Sequence, residues 1–321
     1  MATAEQIKAL IRSHISDDAE RFYTLSLQVA AHEAHQGHGA LALEIRDLVD
    51  RAKRERQKSS VNTLSPELES LVNTDLPGTP LASLILPAPL ISRIDRIIYE
   101  FRQKDKLQQH GLHHRRKILL NGLPGTGKTL TAKVLASELR LPLYTVQTDR
   151  IMMKFMGETS AKLRQIFEVI RECEGVYLFD EFDALGGGRH QQNDVGEMRR
   201  VLTSLLQFIE QDPSDSLIVA ATNSPALLDT ALFRRFDDIL IYENPIEPER
   251  ERLIANTMGT FIGAEFDFKV AVLSCAGLSS AEIVHACRDA MKVAVLQDMK
   301  SVNVDTLETA FCDRMQSHGR S

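Results

Sequence analysis

The stretch Gly122-Leu-Pro-Gly-Thr-Gly-Lys-Thr129 brings together the groups that can grip a row of phosphates. Gly125 and Gly127 let backbone N–H groups turn toward one point. A helix opening at Leu130 adds the partial positive charge of its N-terminus, and Lys128 adds a full charge. The Thr129 hydroxyl stands next in line as an oxygen ligand for Mg2+. With Gly122, Leu123, Pro124 and Thr126 completing the turn, residues 122–130 form a candidate phosphate cradle. Glycine-rich turns of this pattern arise by chance, but far less often with a hydrophobic strand before them and a helix after. Downstream, Val176-Tyr-Leu-Phe-Asp180-Glu181 is an apolar run ending in two carboxylates. Asp180 can hold the Mg2+ shell while Glu181 polarises an attacking water, a division of labour suited to phosphoryl transfer. Leu217 to Asn223 is a third apolar run with a polar end, and Asn223 could orient the same water or sense a γ-phosphate. Arg234 and Arg235 stand together in an otherwise apolar and acidic stretch. They read either as fingers for phosphate charge or as partners in surface ion pairs.

These groups need elements that converge. Ile118-Leu-Leu120 predicts a buried strand leading into the cradle, and Leu130–Leu139 a helix leading out of it. Strand signals follow at Leu143–Val146, Val176–Phe179, Leu217–Ala221 and Ile239–Tyr242, with helix signals at Ala161–Cys173 and Glu197–Glu210. That alternation predicts an α/β fold, a parallel sheet with helices on both faces. From Ile246 onward only helical patterns remain (Pro248–Met258, Phe268–Ala276, Ser279–Gln297, Asp305–Gln316), which predicts an all-helical lid. Ser279 followed by Glu282 is a start signal for the third of these. Upstream, Ile91–Leu107 reads as a single helix. Residues 59–80, rich in Ser, Thr, Asn and Pro, read as a linker. Residues 1–58 read as a small helical domain, its Arg51–Lys58 charge run a solvated helix end. The resulting division is 1–58, 59–80, 81–245 and 246–321.

Composition narrows the classes. At 321 residues with 43% apolar content the chain is globular rather than disordered or fibrous, and a net charge of −6 argues against a nucleic-acid backbone as its main partner. The N-terminus lacks signal-peptide patterning and no apolar run reaches a membrane-spanning length, so a cytoplasmic location is expected. The four cysteines lack CxxC spacing and read as idle thiols. His32, Glu33, His35 and His38 form HExH rather than HExxH, so they read as solvated helix-face residues rather than zinc ligands.

The ordered set GLPGTGKT, VYLFDEFD, ATN and LDTALFRRFD resembles the AAA family of P-loop ATPases from about Leu81 to the C-terminal helices. The resemblance implies ATP and Mg2+ as cofactors, with Lys128 and Thr129 at phosphate and metal. It further implies Asp180 on the metal, Glu181 on the water, Asn223 as first sensor, and Arg234 and Arg235 reaching a neighbouring subunit's site. Lys154-Phe-Met-Gly-Glu-Thr is similar to the family's pore-loop segment, with Phe155 and Met156 in the polypeptide-gripping positions. Gly277-Leu-Ser-Ser-Ala-Glu resembles the lid signature of members that lack a second-sensor arginine, which sorts the chain with protein remodellers. Leu123 departs from the proline of many members, and the arginines lack the usual spacer, leaving open which one contacts phosphate. The implied protein is a homo-oligomeric ring of six that remodels, unfolds or translocates a protein substrate, on its own or for a separate partner protein or protease, with residues 1–58 docking substrate or partner. The alternatives are a nucleotide-gated assembly switch and, less favoured, a DNA-acting loader.

Overall fold

Period-two side-chain alternation divides each central strand between two cores. In the computed structural model, Ile118 and Leu120 of β2 (Lys117–Gly122) enter one hydrophobic cluster while Leu119 enters the other. Val176 and Leu178 of β4 (Val176–Phe179) likewise oppose Tyr177 and Phe179. A strand buried on both faces reads as an unbroken apolar run, and every residue of β4 and of β5 (Leu217–Thr222) is buried. The structure describes residues 13, 19–35, 38–39, 42–43, 45–49, 71–148, 151, 159–181, 194–223 and 233–318.

The chain divides into two units, 1–63 and 64–321. In the first, helix α1 (Ala19–His35) buries Tyr23, Ser26 and Ala30 at helical spacing. The side chains of His32, Glu33 and His35 lie outside the described residues, and His38 is exposed.

The second unit carries a six-stranded sheet of order β1-β3-β4-β5-β2-β6, where β1 is Val72–Asp75, β3 Leu143–Val146 and β6 Asp238–Tyr242. All neighbours are parallel except β1 and β3, which pair antiparallel with Val72 opposite Val146. The stretch expected as a linker, 59–80, therefore contributes an edge strand. Within β1 only Val72 is buried, next to the buried Leu71 that precedes the strand, the pattern of an edge that buries little and so leaves a weak sequence signal. One face is covered by α2 (Ala88–Arg102) and α4 (Lys128–Leu139), the other by α5 (Thr159–Glu172) and α6 (Asp194–Gln211). The single helix expected over 91–107 is two, α2 and α3 (Lys104–Gln109), because the chain leaves helical geometry at Gln103.

The lid is built from α7 (Glu247–Met258), α8 (Phe268–Ser274), α9 (Ser280–Leu296) and α10 (Val304–His318), packed around Ile254, Met258, Ile283, Leu307 and Phe311. Ser279 caps α9 in a capping box: its N–H donates to Glu282 Oε2 at 2.7 Å while its Oγ accepts from Glu282 N. Cys275 and Cys287 are buried in this core, and burial pushes their thiols up to about 11 and about 12, so both stay protonated. Among the described residues no helix is long and apolar enough to cross a membrane.

Candidate nucleotide site

β2 delivers the glycine-rich turn at its C-terminal end, where open α/β sheets place their ligands. The turn needs its glycines at two points. A Cβ on Gly122 would lie 2.2 Å from the Tyr242 carbonyl oxygen on β6. Gly125 has φ +75°, and a Cβ there would sit 2.6 Å from Ser279 Oγ of the lid. Thr126 closes the loop by donating to the Leu123 carbonyl at 2.8 Å. Gly127, at φ +105°, starts α4, whose N-terminus faces the cleft. Lys128 is buried, and its Nζ donates to the carbonyls of Gly122 and Leu123, each at 2.8 Å.

β4 runs beside β5 and brings the carboxylates to the same end of the sheet. Thr129 Oγ1 donates to Asp180 Oδ2 at 2.8 Å, so two residues 51 positions apart meet through their oxygens. Glu181 N donates to Asp180 Oδ1 at 2.9 Å. Glu181 itself is exposed and holds φ +49°, a left-handed conformation that costs a non-glycine residue about 1–2 kcal/mol. Asn223 follows β5 and stands in the same cleft.

That cleft encloses about 730 Å3. Pro124 to Leu130, Asp180, Glu181 and Asn223 all line it, whereas Gly122 and Leu123 do not. Their contribution is the pair of carbonyls that hold Lys128, and the Leu123 side chain is exposed. Leu84 to Leu86 and the lid residues Val284, His285 and Arg288 also line it. Sequence reasoning missed His285 and Arg288. They share one face of α9 by their i, i+3 spacing, but only the packing of the lid shows that this face looks into the cleft. The lid touches the loop directly, Ala281 N donating to the Gly125 carbonyl at 2.9 Å.

The two arginines are not in this cleft. Asp237, which follows them, accepts from the backbone N–H groups of Arg116 and Lys117, each at 2.9 Å, and donates its own N–H to Lys117 O at 2.8 Å. This fastens the arginine-bearing turn to the start of β2, the end of the sheet opposite the phosphate loop. Arg234 is exposed. Arg235 is half-buried, its Nε 3.5 Å from Glu210 Oε2 on α6. Phe155 and Met156 lie outside the described residues.

Comparison with known proteins agrees with this geometry. The sequence model of the ATPase family associated with various cellular activities (AAA) matches residues 118–244, from β2 to just past β6. An uncharacterized AAA family ATPase, y4kL, of Sinorhizobium fredii is 33% identical across 98% of this chain and 96% of its own length. The ATP-dependent zinc metalloprotease FtsH of Mycoplasmopsis synoviae is 32% identical across 71% of this chain, which spans 35% of that relative's length. The crystal structure of the FIGL-1 AAA domain superposes with a TM-score of 0.61 at 21% identity, covering 78% of this chain and 90% of the other, a likeness of fold. The chain belongs to the AAA family of ATPases. It binds nucleotide and hydrolyses ATP.

Proposed function

We propose that this ATPase works as a ring in which each site is completed by a neighbouring copy, and that it uses ATP to remodel a protein substrate. The observation that carries this reading is the placement of Arg234. It is exposed, and it lies at the far end of a six-residue strand from the phosphate loop, about 16 Å away at 3.3 Å per residue. A cation so placed cannot reach its own cleft, and it is free to enter another molecule's. Arg235, tethered to Glu210, holds the turn, which makes Arg234 the finger. The resemblance to FtsH, named as an ATP-dependent protease, supports a polypeptide as the substrate. In this reading Phe155 and Met156 grip it and residues 1–58 recruit it.

The cleft fits ATP with Mg2+. Two hard oxygen donors, Thr129 Oγ1 and Asp180 Oδ2, already meet at 2.8 Å at the phosphate end, the donor chemistry Mg2+ takes. When bound, the ion neutralises charge on the phosphates. Lys128 would hold the β- and γ-phosphates, Glu181 would take a proton from the attacking water, and Asn223 would orient that water. The backbone N–H groups from Gly125 to Thr129 would bind phosphate oxygens and exclude bulk water.

A mixing experiment tests the shared site. Lys128→Ala should lose nucleotide binding, and Arg234→Ala should bind ATP but hydrolyse it poorly. Mixed, the two should regain part of wild-type turnover, because some interfaces pair an intact phosphate loop with an intact neighbouring finger. Turnover per subunit in the wild type should also rise with protein concentration. Concentration-independent turnover by a demonstrably monomeric wild type overturns the proposal.

A further inference from the structure

Thr148 follows β3 by two residues and is buried, yet it belongs to none of the motifs that mark the site. Its Oγ1 donates to the Asp180 carbonyl oxygen at 3.0 Å. That carbonyl opens the peptide joining Asp180 to Glu181. Rotating a peptide plane changes ψ of the residue before it and φ of the residue after it by opposite amounts. Holding the Asp180 oxygen therefore holds φ of Glu181, and Glu181 sits at +49°, a value an L-residue leaves readily when nothing fixes it. Among the described residues, the other hydrogen bonds on this turn involve the Asp180 side chain: one carboxylate oxygen accepts from Thr129 and the other from Glu181 N. Both of those contacts compete with bound cation and phosphate, because the same carboxylate faces the cleft. The Thr148 contact is made by a buried side chain to a backbone carbonyl, so it does not draw on the carboxylate oxygens.

The register of the sheet makes this possible. Val146 on β3 lies opposite Phe179 on β4, so the residues just beyond these two strand ends come together. Threonine suits the task because its branched Cβ restricts χ1, aiming the hydroxyl with little rotamer freedom to lose.

We propose that Thr148 is a positioning residue for hydrolysis: through the Asp180 carbonyl it fixes the peptide that aims the Glu181 carboxylate at the attacking water. The inference rests on the reading of Glu181 given above. Thr148→Val keeps the shape and removes the donor. Its kcat should fall by about ten- to a hundredfold, the scale on which misplacing a reacting group by an ångström acts. KM for ATP and the affinity for a fluorescent ATP analogue should move by less than about threefold, since the phosphate loop is untouched. Thr148→Ser restores the donor, and its kcat should return to within about threefold of wild type. The proposal falls if Thr148→Val turns over at the wild-type rate, if Thr148→Ser is as defective as Thr148→Val, or if kcat and nucleotide affinity are lost together in folded protein. Glu181→Gln separates the two claims. If it is inactive while Thr148→Val is fully active, only the role of Thr148 is wrong. If Glu181→Gln hydrolyses ATP normally, the reading of Glu181 fails and takes the positioning role with it.

Discussion

The strands of the sheet carry charged groups at both ends, and the two ends use them in opposite ways. At the C-terminal ends, Asp180 and Glu181 border an open cleft, and Glu181 is exposed in a left-handed backbone conformation. At the N-terminal ends, charge is consumed internally. Arg116 donates to Asp212 Oδ2 at 2.8 Å, and the Asp212 side chain is fully buried, with Ser214 N and Oγ adding two further donors. Lys117 donates to the Glu210 carbonyl at 2.7 Å, burial and the neighbouring Arg116 holding its ammonium below the usual lysine range. Arg93 pairs with Asp238, and Arg115 with Glu100. Residue type does not separate the two ends; access to the open cleft does. Arg234 and Arg235 differ within the N-terminal end, one exposed and one tethered.

The adjacent arginines give the sharpest way to break this comparison. Arg234→Ala should cut turnover by about three orders of magnitude or more with ATP still bound, as for an arginine finger, whereas Arg235→Ala should lose less than about tenfold. Steady-state ATPase rates at saturating nucleotide decide it, and equal losses would erase the distinction between exposed and tethered. The next effect is on stability. Asp212→Ala leaves Arg116 without its buried partner and should cost about 3 kcal/mol in denaturant unfolding, while any surviving fold keeps its nucleotide affinity. A loss of ATP binding in folded protein would show that the two ends are not independent.

The smallest effect concerns His114, buried against the edge of the Phe101 ring. Burial lowers its pKa below the ordinary 6.5, with Asp215 opposing this and Lys104 and Arg116 assisting. The unfolded chain therefore binds the proton more readily. Stability contributed by neutral His114 is fully present above about pH 6.5 and is lost as pH falls from there toward the folded pKa. His114→Phe should make the acid side of a melting-temperature profile shallower. An unchanged slope would mean that this histidine is not among the groups that set it.

Much of this was legible in the residues because the relevant signals are local. The glycine turn, the apolar runs ending in Asp180 and Asn223, and the Ser279–Glu282 capping pair each specify their own geometry within a few positions. The missing pieces depend on neighbours brought in by folding. β1 buries little more than Leu71 and Val72, so a polar Val-Asn-Thr-Asp run carries no strand period to read. The break at Gln103 interrupts an apolar rhythm that continues across it. His285 and Arg288 resemble any solvated pair on α9 until the lid is docked. Thr148 is one more threonine after a strand until its hydroxyl is seen on the Asp180 carbonyl.

One contact has a mechanical consequence. The Gly125 carbonyl takes its hydrogen bond from Ala281 at the tip of α9, and the space where a Gly125 side chain would go is filled by Ser279. The start of α9 and the floor of the phosphate loop are thus in direct contact. A displacement of α9 would strain the loop, and a loop tightened around phosphate would resist it. Load on the lid and ligand in the cleft would then act on one contact from opposite sides, as a pawl and a ratchet wheel share a tooth.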